Sequence, residues 1–383
     1  MGSLLKIKKA KVELLVFILL LLSLFLESFL GDALGVGKAA FLLVYLSPLL
    51  VIDFKQNRID RVELFLLLFI ILYTFSSVID GGGYKYAFYI VLVGLFYRFG
   101  RGVNIPIGEL GYVVVFCFVF SAFCVLGYSN VDFGVPKNTV GASILYFFII
   151  SIWVKYLRAS SYRGLLVTSL LGFFILYSLD VRGASAQLLM LVSALYLSTL
   201  PFFNRISSRT FFIGFLIVLI VALVIVAFGD ELEFFYVLEE GVNSVSGRSI
   251  KSGRQLIWPV SLELISENPM WGLGAGFLIN SLAGSETWSA HNTFLQVGMQ
   301  VGGVGIFLVL IMLYLVLNKI SVVYEKNNDR FFMMSIWFVI AFFNIFEVSL
   351  FQNSMPISVI QWFILGLIVN PNYSKHLMRE GKL

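Results

Sequence analysis

The amino-acid sequence predicts an all-α integral membrane protein with about 12 transmembrane helices. Of its 383 residues, 59% are hydrophobic and only 13% are charged, and the mean hydropathy is +0.94. A soluble domain of this size carries about 25% charged residues. Apolar runs also recur along the whole chain at lengths near the roughly 20 residues that a helix needs to cross a bilayer. We therefore expect a single polytopic domain over 1–383.

Each apolar run is assigned to one predicted span, and the basic residues orient the set. Most of the 27 Lys and Arg residues fall on alternate loops, beginning with Lys6, Lys8, Lys9 and Lys11. The positive-inside rule then places both termini in the cytoplasm. The net charge of +5 is explained by this topology and gives no reason to expect a nucleic-acid partner. The predicted spans are 13–30, 34–53, 62–79, 84–98, 107–127, 138–156, 164–180, 183–203, 210–228, 291–317, 331–350 and 357–370.

One predicted loop is much longer than the others. Residues 229–290 connect spans 9 and 10 on the non-cytoplasmic side, and a connection of this length is typically functional. Within it, the spacing of apolar residues over 256–265 predicts an amphipathic helix, with Pro259 in its first turn and Asn268-Pro269 at its end. The glycine-rich stretch 272–276 follows and predicts a flexible turn.

His291 is the candidate general base. It lies where the long loop re-enters the membrane, whereas the other histidine, His376, lies in the predicted cytoplasmic tail. Imidazole is suited to proton transfer near neutral pH. The structural alternative is an interfacial histidine that only hydrogen bonds to a neighbour. A zinc site is not expected here, because no second histidine or outside cysteine is available to complete the ligands.

Basic residues on the same side are candidates for binding an anion. Arg182 lies between two closely spaced spans, and its planar guanidinium suits a phosphate or a carboxylate. Its alternatives are an ion pair with Asp180 or snorkelling to the surface. Arg248, Lys251 and Arg254 cluster among glycines and serines that favour pyrophosphate binding. For these three, the alternative is a solvated loop face or contact with lipid head groups.

Two further patterns carry less weight. The stretch Gly272-Leu273-Gly274-Ala275-Gly276 has the glycine spacing of a nucleotide-binding turn, but no strand precedes it, so we do not assign it that role. Glu109 and Glu347 are predicted within spans. Each is interpreted either as a proton-relay group or as a carboxyl that hydrogen bonds inside the bundle.

Together these segments resemble the bacterial O-antigen ligase and O-antigen polymerase superfamily of polytopic glycosyltransferases. Its ligases carry His-[Asn/Ser/Gln], nine residues, Gly, two residues, then Gly, Thr or Tyr. Here His291-Asn292 is followed at that spacing by Gly302 and Gly305. Ser252 to Trp258 and Asn268-Pro269-Met270-Trp271-Gly272-Leu273-Gly274 are similar to the family's Arg-Trp and Asn-Pro-Gly segments. Asp180-Val181-Arg182-Gly183 is similar to its membrane-boundary arginine.

The resemblance implies a chemistry for these residues. The donor would be a glycan on undecaprenyl pyrophosphate, presented at the periplasmic face of the bacterial inner membrane. Arg182 and Arg254 would hold the pyrophosphate, with Arg248 and Lys251 in support, and His291 would activate an acceptor hydroxyl. Because such a donor is already activated, no cofactor, metal or ATP is expected. Transfer would invert the anomeric centre.

The acceptor stays open between two classes. Lipid A–core as acceptor defines a ligase, and the complete histidine motif favours it. A second lipid-linked glycan as acceptor defines an O-antigen or exopolysaccharide polymerase. Membrane lipids are expected partners in either case, and other glycan-assembly proteins are possible ones. A secondary transporter is a more distant alternative, since many also have 12 spans, but related halves with broken helices at the midplane are typical of those.

Overall fold

A computed structural model describes the chain as a bundle of α-helices. It describes residues 2–30, 45–50, 52, 59–130, 137–158, 162–200, 202–228, 240–241, 244, 254–279, 289–324, 327–352 and 354–379. Short 3-10 helices at Ser47–Leu50 and Phe203–Arg205 complete the set. The α-helices are α1 Gly2–Leu30, α2 Arg61–Asp80, α3 Tyr84–Gly102, α4 Leu110–Asn130, α5 Lys137–Leu157, α6 Tyr162–Ser178, α7 Arg182–Leu197, α8 Ser208–Phe228, α9 Arg254–Glu267, α10 Thr293–Val323, α11 Asn327–Phe346, α12 Met355–Ile368 and α13 Pro371–Arg379.

The helices agree with a polytopic membrane protein. Every predicted span except 34–53, most of which lies outside the described residues, coincides with a helix. Within the described ranges, five helices are long and apolar enough to cross a membrane: α2, α5, α8, α10 and the Asp329–Phe346 part of α11. Counting α12 with Pro371–Leu377, which are bent by 49° relative to each other, makes six. The total of 12 spans therefore stays a prediction.

Close backbone packing and partly buried ion pairs hold several helices of the bundle together. At the crossing of α3 and α12, a Cβ on Gly100 would lie 2.4 Å from the carbonyl oxygen of Phe363. At one end of the bundle, Asp60 caps α2 and accepts hydrogen bonds from Arg101 of α3 and Lys319 of α10. These contacts fix α2, α3 and α10 side by side.

Helix α10 is broken one-third of the way along its length. Val301 and Gly302 have non-helical backbone angles, and Gly302 has a φ of 68°. The turn that follows α9 makes the hydrogen bonds that the break would otherwise leave open. Leu273 N–H donates to Met299 O at 2.7 Å, Gly274 N–H donates to Gln300 O at 3.1 Å, and Gly303 N–H donates to Pro269 O at 2.7 Å. The kink is thus caused by an inserted turn.

The glycines at this contact are there because two backbones touch. A Cβ on Gly302 would lie 2.2 Å from the Met270 backbone. A Cβ on Gly272, whose φ of 70° is also positive, would lie 2.6 Å from Met299 O. The turn was expected to be flexible, but its backbone is packed against α10. The glycine pattern therefore reflects close approach more than freedom of motion.

Three sequence predictions on local position were wrong. Glu109 lies in the turn directly before α4, and Glu347 follows the last residue of α11, so neither lies inside a helix. Pro259 is not in the first turn of its helix, because α9 begins at Arg254. In each case the helix begins or ends a few residues away from the end of the apolar run. Polar capping and tertiary contacts decide where a helix ends, and the apolar run alone does not.

Replacing Gly302 with alanine should destabilise the protein by about 2–4 kcal/mol, since the Cβ meets backbone and the φ is positive. Gly214→Ala is the matched control, because its Cβ would meet nothing within 4 Å and the site is an ordinary helical position in α8. Thermal unfolding in detergent measures both. Equal unfolding temperatures for the two variants would contradict the packed-turn interpretation.

Candidate active site

The site is built around the start of α10, where Asn292 is the N-cap. Its side-chain oxygen accepts hydrogen bonds from Phe294 N at 2.8 Å and Leu295 N at 3.0 Å, and the residue is fully buried. These are donors that a helix terminus leaves unsatisfied. The preceding His291 has a φ of 46°, in the left-handed region. The cap thus explains why an Asn follows the histidine, and the left-handed backbone at His291 is a strained conformation for a residue other than glycine.

Trp258 of α9 fixes the residue before the histidine. Its indole N–H donates to Ala290 O at 2.9 Å, and its ring is fully buried and stacks on Phe346 of α11. Ala290 N–H donates to the side-chain oxygen of Gln296 at 3.1 Å. Both backbone polar groups of Ala290 are therefore held. The chain therefore enters α10 at a defined position, and Trp258, the tryptophan of the predicted Arg-Trp segment, helps to fix that position.

Glu347 joins the candidate base to a candidate arginine. Its Oε2 lies 3.6 Å from His291 Nδ1, and its Oε1 lies 3.5 Å from Arg254 Nη2. Arg254 Nη2 also donates to the carbonyl oxygen of Phe346 at 2.8 Å. Thr293 connects the start of α10 to the end of α11, because its hydroxyl lies 2.9 Å from Asn344 Oδ1 and 3.0 Å from Glu347 O. The end of α11 is thus the point where α9 and α10 meet.

The start of α5 connects this cluster to Arg182. Asn138 Nδ2 lies 3.5 Å from Glu347 Oε1. Its neighbour Lys137 donates to Asp180 Oδ2 at 2.8 Å, and Arg182 Nε lies 3.4 Å from Asp180 Oδ1. Two adjacent residues therefore bridge the Arg182 turn and the His291 cluster. The alternative ion pair of Arg182 with Asp180 is present, shared with Lys137.

The charges of the site are partly shielded from solvent. The Arg254 side chain is 16% exposed, and burial lowers the pKa of its guanidinium while the Glu347 carboxylate raises it. An arginine stays protonated under such conditions. Among the described residues of the site, Arg254 Nε is a buried atom that has no hydrogen-bond partner, and His291 Nδ1 has only the 3.6 Å contact with Glu347 Oε2. The site thus keeps polar atoms that a ligand is able to satisfy.

The other predicted residues divide into three groups. Arg248 and Lys251 lie outside the described residues. The turn that packs against the break in α10 contains Pro269, Gly272 and Gly274. Its backbone contacts the backbone of Gly302. Gly305 lies one turn further along α10, under the side chain of Val301. The second half of the motif therefore packs α10 against the turn, and the first half lies in the candidate site.

Sequence reasoning missed the residues that connect the site. Sequence patterns do not single out Lys137 or Asn138, and they predict that Glu347 lies within a span. The position of Lys137 against the positive-inside bias was a usable signal. In the described part of the chain, no group of three or more His, Cys, Asp or Glu side chains is arranged to hold a metal ion.

Residues 165–310 match the family described as "O-Antigen ligase". The matched segment includes Arg182, Arg254 and His291, and the predicted resemblance to the O-antigen ligase and polymerase superfamily is confirmed. The match indicates a multi-pass membrane enzyme of the glycosyltransferase type that acts on lipid-linked glycans in polysaccharide biosynthesis. A search of curated proteins found no match.

Trp258→Phe should lower the free energy of unfolding by about 1–3 kcal/mol, because the smaller phenyl ring remains apolar but leaves the buried Ala290 carbonyl without its donor. Trp271→Phe is the control, since Trp271 is 64% exposed. Unfolding of both variants in the same detergent is the measurement. If Trp258→Phe is as stable as the control, the indole does not hold the entry to α10.

Proposed function

We propose that the protein transfers a glycan from undecaprenyl pyrophosphate to a sugar hydroxyl of lipid A–core, as an O-antigen ligase. The observation that carries the proposal is the convergence of His291 and Arg254 on Glu347, within the same cluster that Lys137 and Asn138 link to Arg182. A base beside fixed cations is what transfer from an activated pyrophosphate requires. The O-antigen ligase match over 165–310 supports the same chemistry.

His291 acts as the general base in this proposal. Its Nδ1 faces the Glu347 carboxylate, which leaves Nε2 to receive the proton of the acceptor hydroxyl. Taking up that proton makes the imidazole a cation, and the neighbouring carboxylate stabilises it. Glu347 is therefore a positioning residue: it acts on the substrate through His291.

The arginines act on the other side of the bond that breaks. As the acceptor oxygen bonds to the anomeric carbon, the bond from that carbon to the pyrophosphate oxygen breaks, and undecaprenyl pyrophosphate leaves with the electron pair. Arg182 and Arg254 hold the diphosphate and stabilise its growing negative charge. The unpartnered Nε of Arg254 supports this role. Arg248 and Lys251 are proposed to assist from the neighbouring loop.

The remaining parts of the proposal follow from the donor. A pyrophosphate-linked glycan is already activated, so transfer needs neither metal nor ATP. The reaction takes place at the periplasmic face of the inner membrane, with both termini in the cytoplasm and the 229–290 loop outside. A polymerase differs only in using a second lipid-linked glycan as the acceptor.

His291→Ala and His291→Asn should each lower kcat by about 100- to 10,000-fold, because proton removal is lost. Asparagine tolerates the left-handed backbone at this position, so it separates chemistry from folding. Glu347→Gln should lower kcat on the order of 100-fold with little change in the KM of the donor, and Glu347→Asp should recover part of it. The measurement is transfer from purified undecaprenyl-pyrophosphate glycan to lipid A–core or to a second lipid-linked glycan, with and without a chelator.

His376→Ala and Glu263→Gln are the matched controls, since both residues lie away from the cluster and should leave turnover at the wild-type rate. Normal turnover by His291→Asn would remove the base. Inhibition by the chelator would remove the metal-free mechanism. Use of the lipid-linked acceptor alone would replace ligase with polymerase.

Arg182→Ala and Arg254→Ala should weaken binding of the donor, since charge-assisted hydrogen bonds are worth roughly 1.5–3 kcal/mol each. Lysine at either position should restore little, because a point charge does not reproduce the guanidinium fork. Arg209→Ala, an exposed arginine at the other end of the bundle, is the control. Wild-type donor affinity in both alanine variants would exclude the pyrophosphate assignment.

A further inference from the structure

An apolar groove runs along one side of α7. It has a volume of about 450 Å³ and lies between α7, α8 and α11. Its lining includes Ala186, Met190, Ser193 and Leu197 from α7, and Phe331 and Phe338 from α11. The α7 residues recur at the spacing of one helical face. The groove therefore follows the helix axis for about 16 Å, the rise of the eleven residues from Ala186 to Leu197.

Arg182 stands at the head of this same face. It is the first residue of α7 and lies four residues before Ala186, so the two side chains are neighbours on the helix surface. Lys137 lies beside it through their shared contact with Asp180. Two cations and one carboxylate thus meet at the end of an apolar groove. This arrangement matches a lipid whose anionic head group lies beside the two cations and whose hydrocarbon chain lies in the groove.

The end of the groove with Arg182 is also the end with the active site. Lys137 is followed directly by Asn138, which contacts Glu347 at the end of α11. Helix α11 itself forms one wall of the groove, and its last turn contacts Arg254. A ligand whose diphosphate lies at Arg182 would therefore have its glycan on the His291 side and its lipid on the groove side.

We propose that the groove between α7, α8 and α11 binds the polyprenyl chain of the lipid-linked donor, with the diphosphate beside Arg182 and Lys137. This inference rests on the proposed function and adds the site of the lipid. The groove gives selectivity for chain length, because each isoprene unit that it covers adds buried apolar area. Ordinary phospholipid and a second copy of the chain are the competing occupants that the experiment separates.

The first test compares donors of different chain length. Ser193 lies eleven residues after Arg182, about 16 Å down the groove, beyond the reach of a geranyl chain. Ser193→Phe should therefore reduce the preference for the undecaprenyl donor over the geranyl donor, measured as the ratio of kcat/KM, by about tenfold. Ala122→Phe introduces the same ring at an exposed position on α4, outside the groove, and should keep the wild-type ratio.

The second test detects the lipid directly and needs no turnover. A benzophenone amino acid in place of Leu189, a groove residue, should crosslink to undecaprenyl pyrophosphate that carries no glycan, and excess unlabelled undecaprenyl pyrophosphate should compete. The same probe in place of Val167, which is 64% exposed on α6, should not show this competition. Crosslinks at position 189 that form only to phospholipid, or to a second copy of the chain, would overturn the inference.

The two proposals fail in different ways. If glycan transfer from the undecaprenyl donor is normal but Ser193→Phe keeps full chain-length preference and position 189 does not crosslink to undecaprenyl pyrophosphate, the groove assignment is wrong and the proposed function stands. If the wild-type protein neither binds undecaprenyl pyrophosphate nor transfers from it, the proposed function is wrong and the groove assignment falls with it. Competed crosslinking together with loss of the preference confirms the groove.

Discussion

The backbone contact between the turn at 269–274 and the break in α10 is the constraint on which the site depends. A helix that stops at Val301 and restarts at Gly303 leaves donors and acceptors open inside the bundle, and buried backbone groups cannot stay unpaired at low cost. The turn supplies the partners. Because the turn follows α9 directly, repairing the break also fixes where α9 lies relative to α10.

The position of α9 then determines the site. Trp258 and Arg254 extend from this helix to Ala290 and to the end of α11, so α9, α10 and α11 are tied together around His291. The first part of the His-Asn motif supplies the candidate base and the helix cap, and the second part supplies Gly302, which allows the turn to approach the α10 backbone. The spacing between them is the length of helix from the cap to the break, which is why both halves belong to one motif.

Glu347 illustrates how a tertiary contact changes the meaning of a residue. The sequence predicts that it lies within the span 331–350, as a group inside the helix bundle. In the structure it lies just past the end of α11, facing His291, Arg254 and Asn138. A carboxylate in that position neutralises part of the charge of the arginine and is able to stabilise an imidazolium. Its place in the cluster gives it a role that its local sequence does not indicate.

The sequence alone determined the class of the protein and nearly all of the described helices, and it proposed His291, Arg254 and Arg182 as candidate site residues. Hydrophobic length and charge bias are local properties, and the motif has a fixed spacing. Only the tertiary structure showed that Glu347, Lys137 and Asn138 connect those residues in one cluster. It also showed that Gly272 and Gly302 allow two backbones to pack closely. These contacts span separations such as the 209 residues between Asn138 and Glu347. No local pattern encodes them, because they depend on which helix ends the packing brings together.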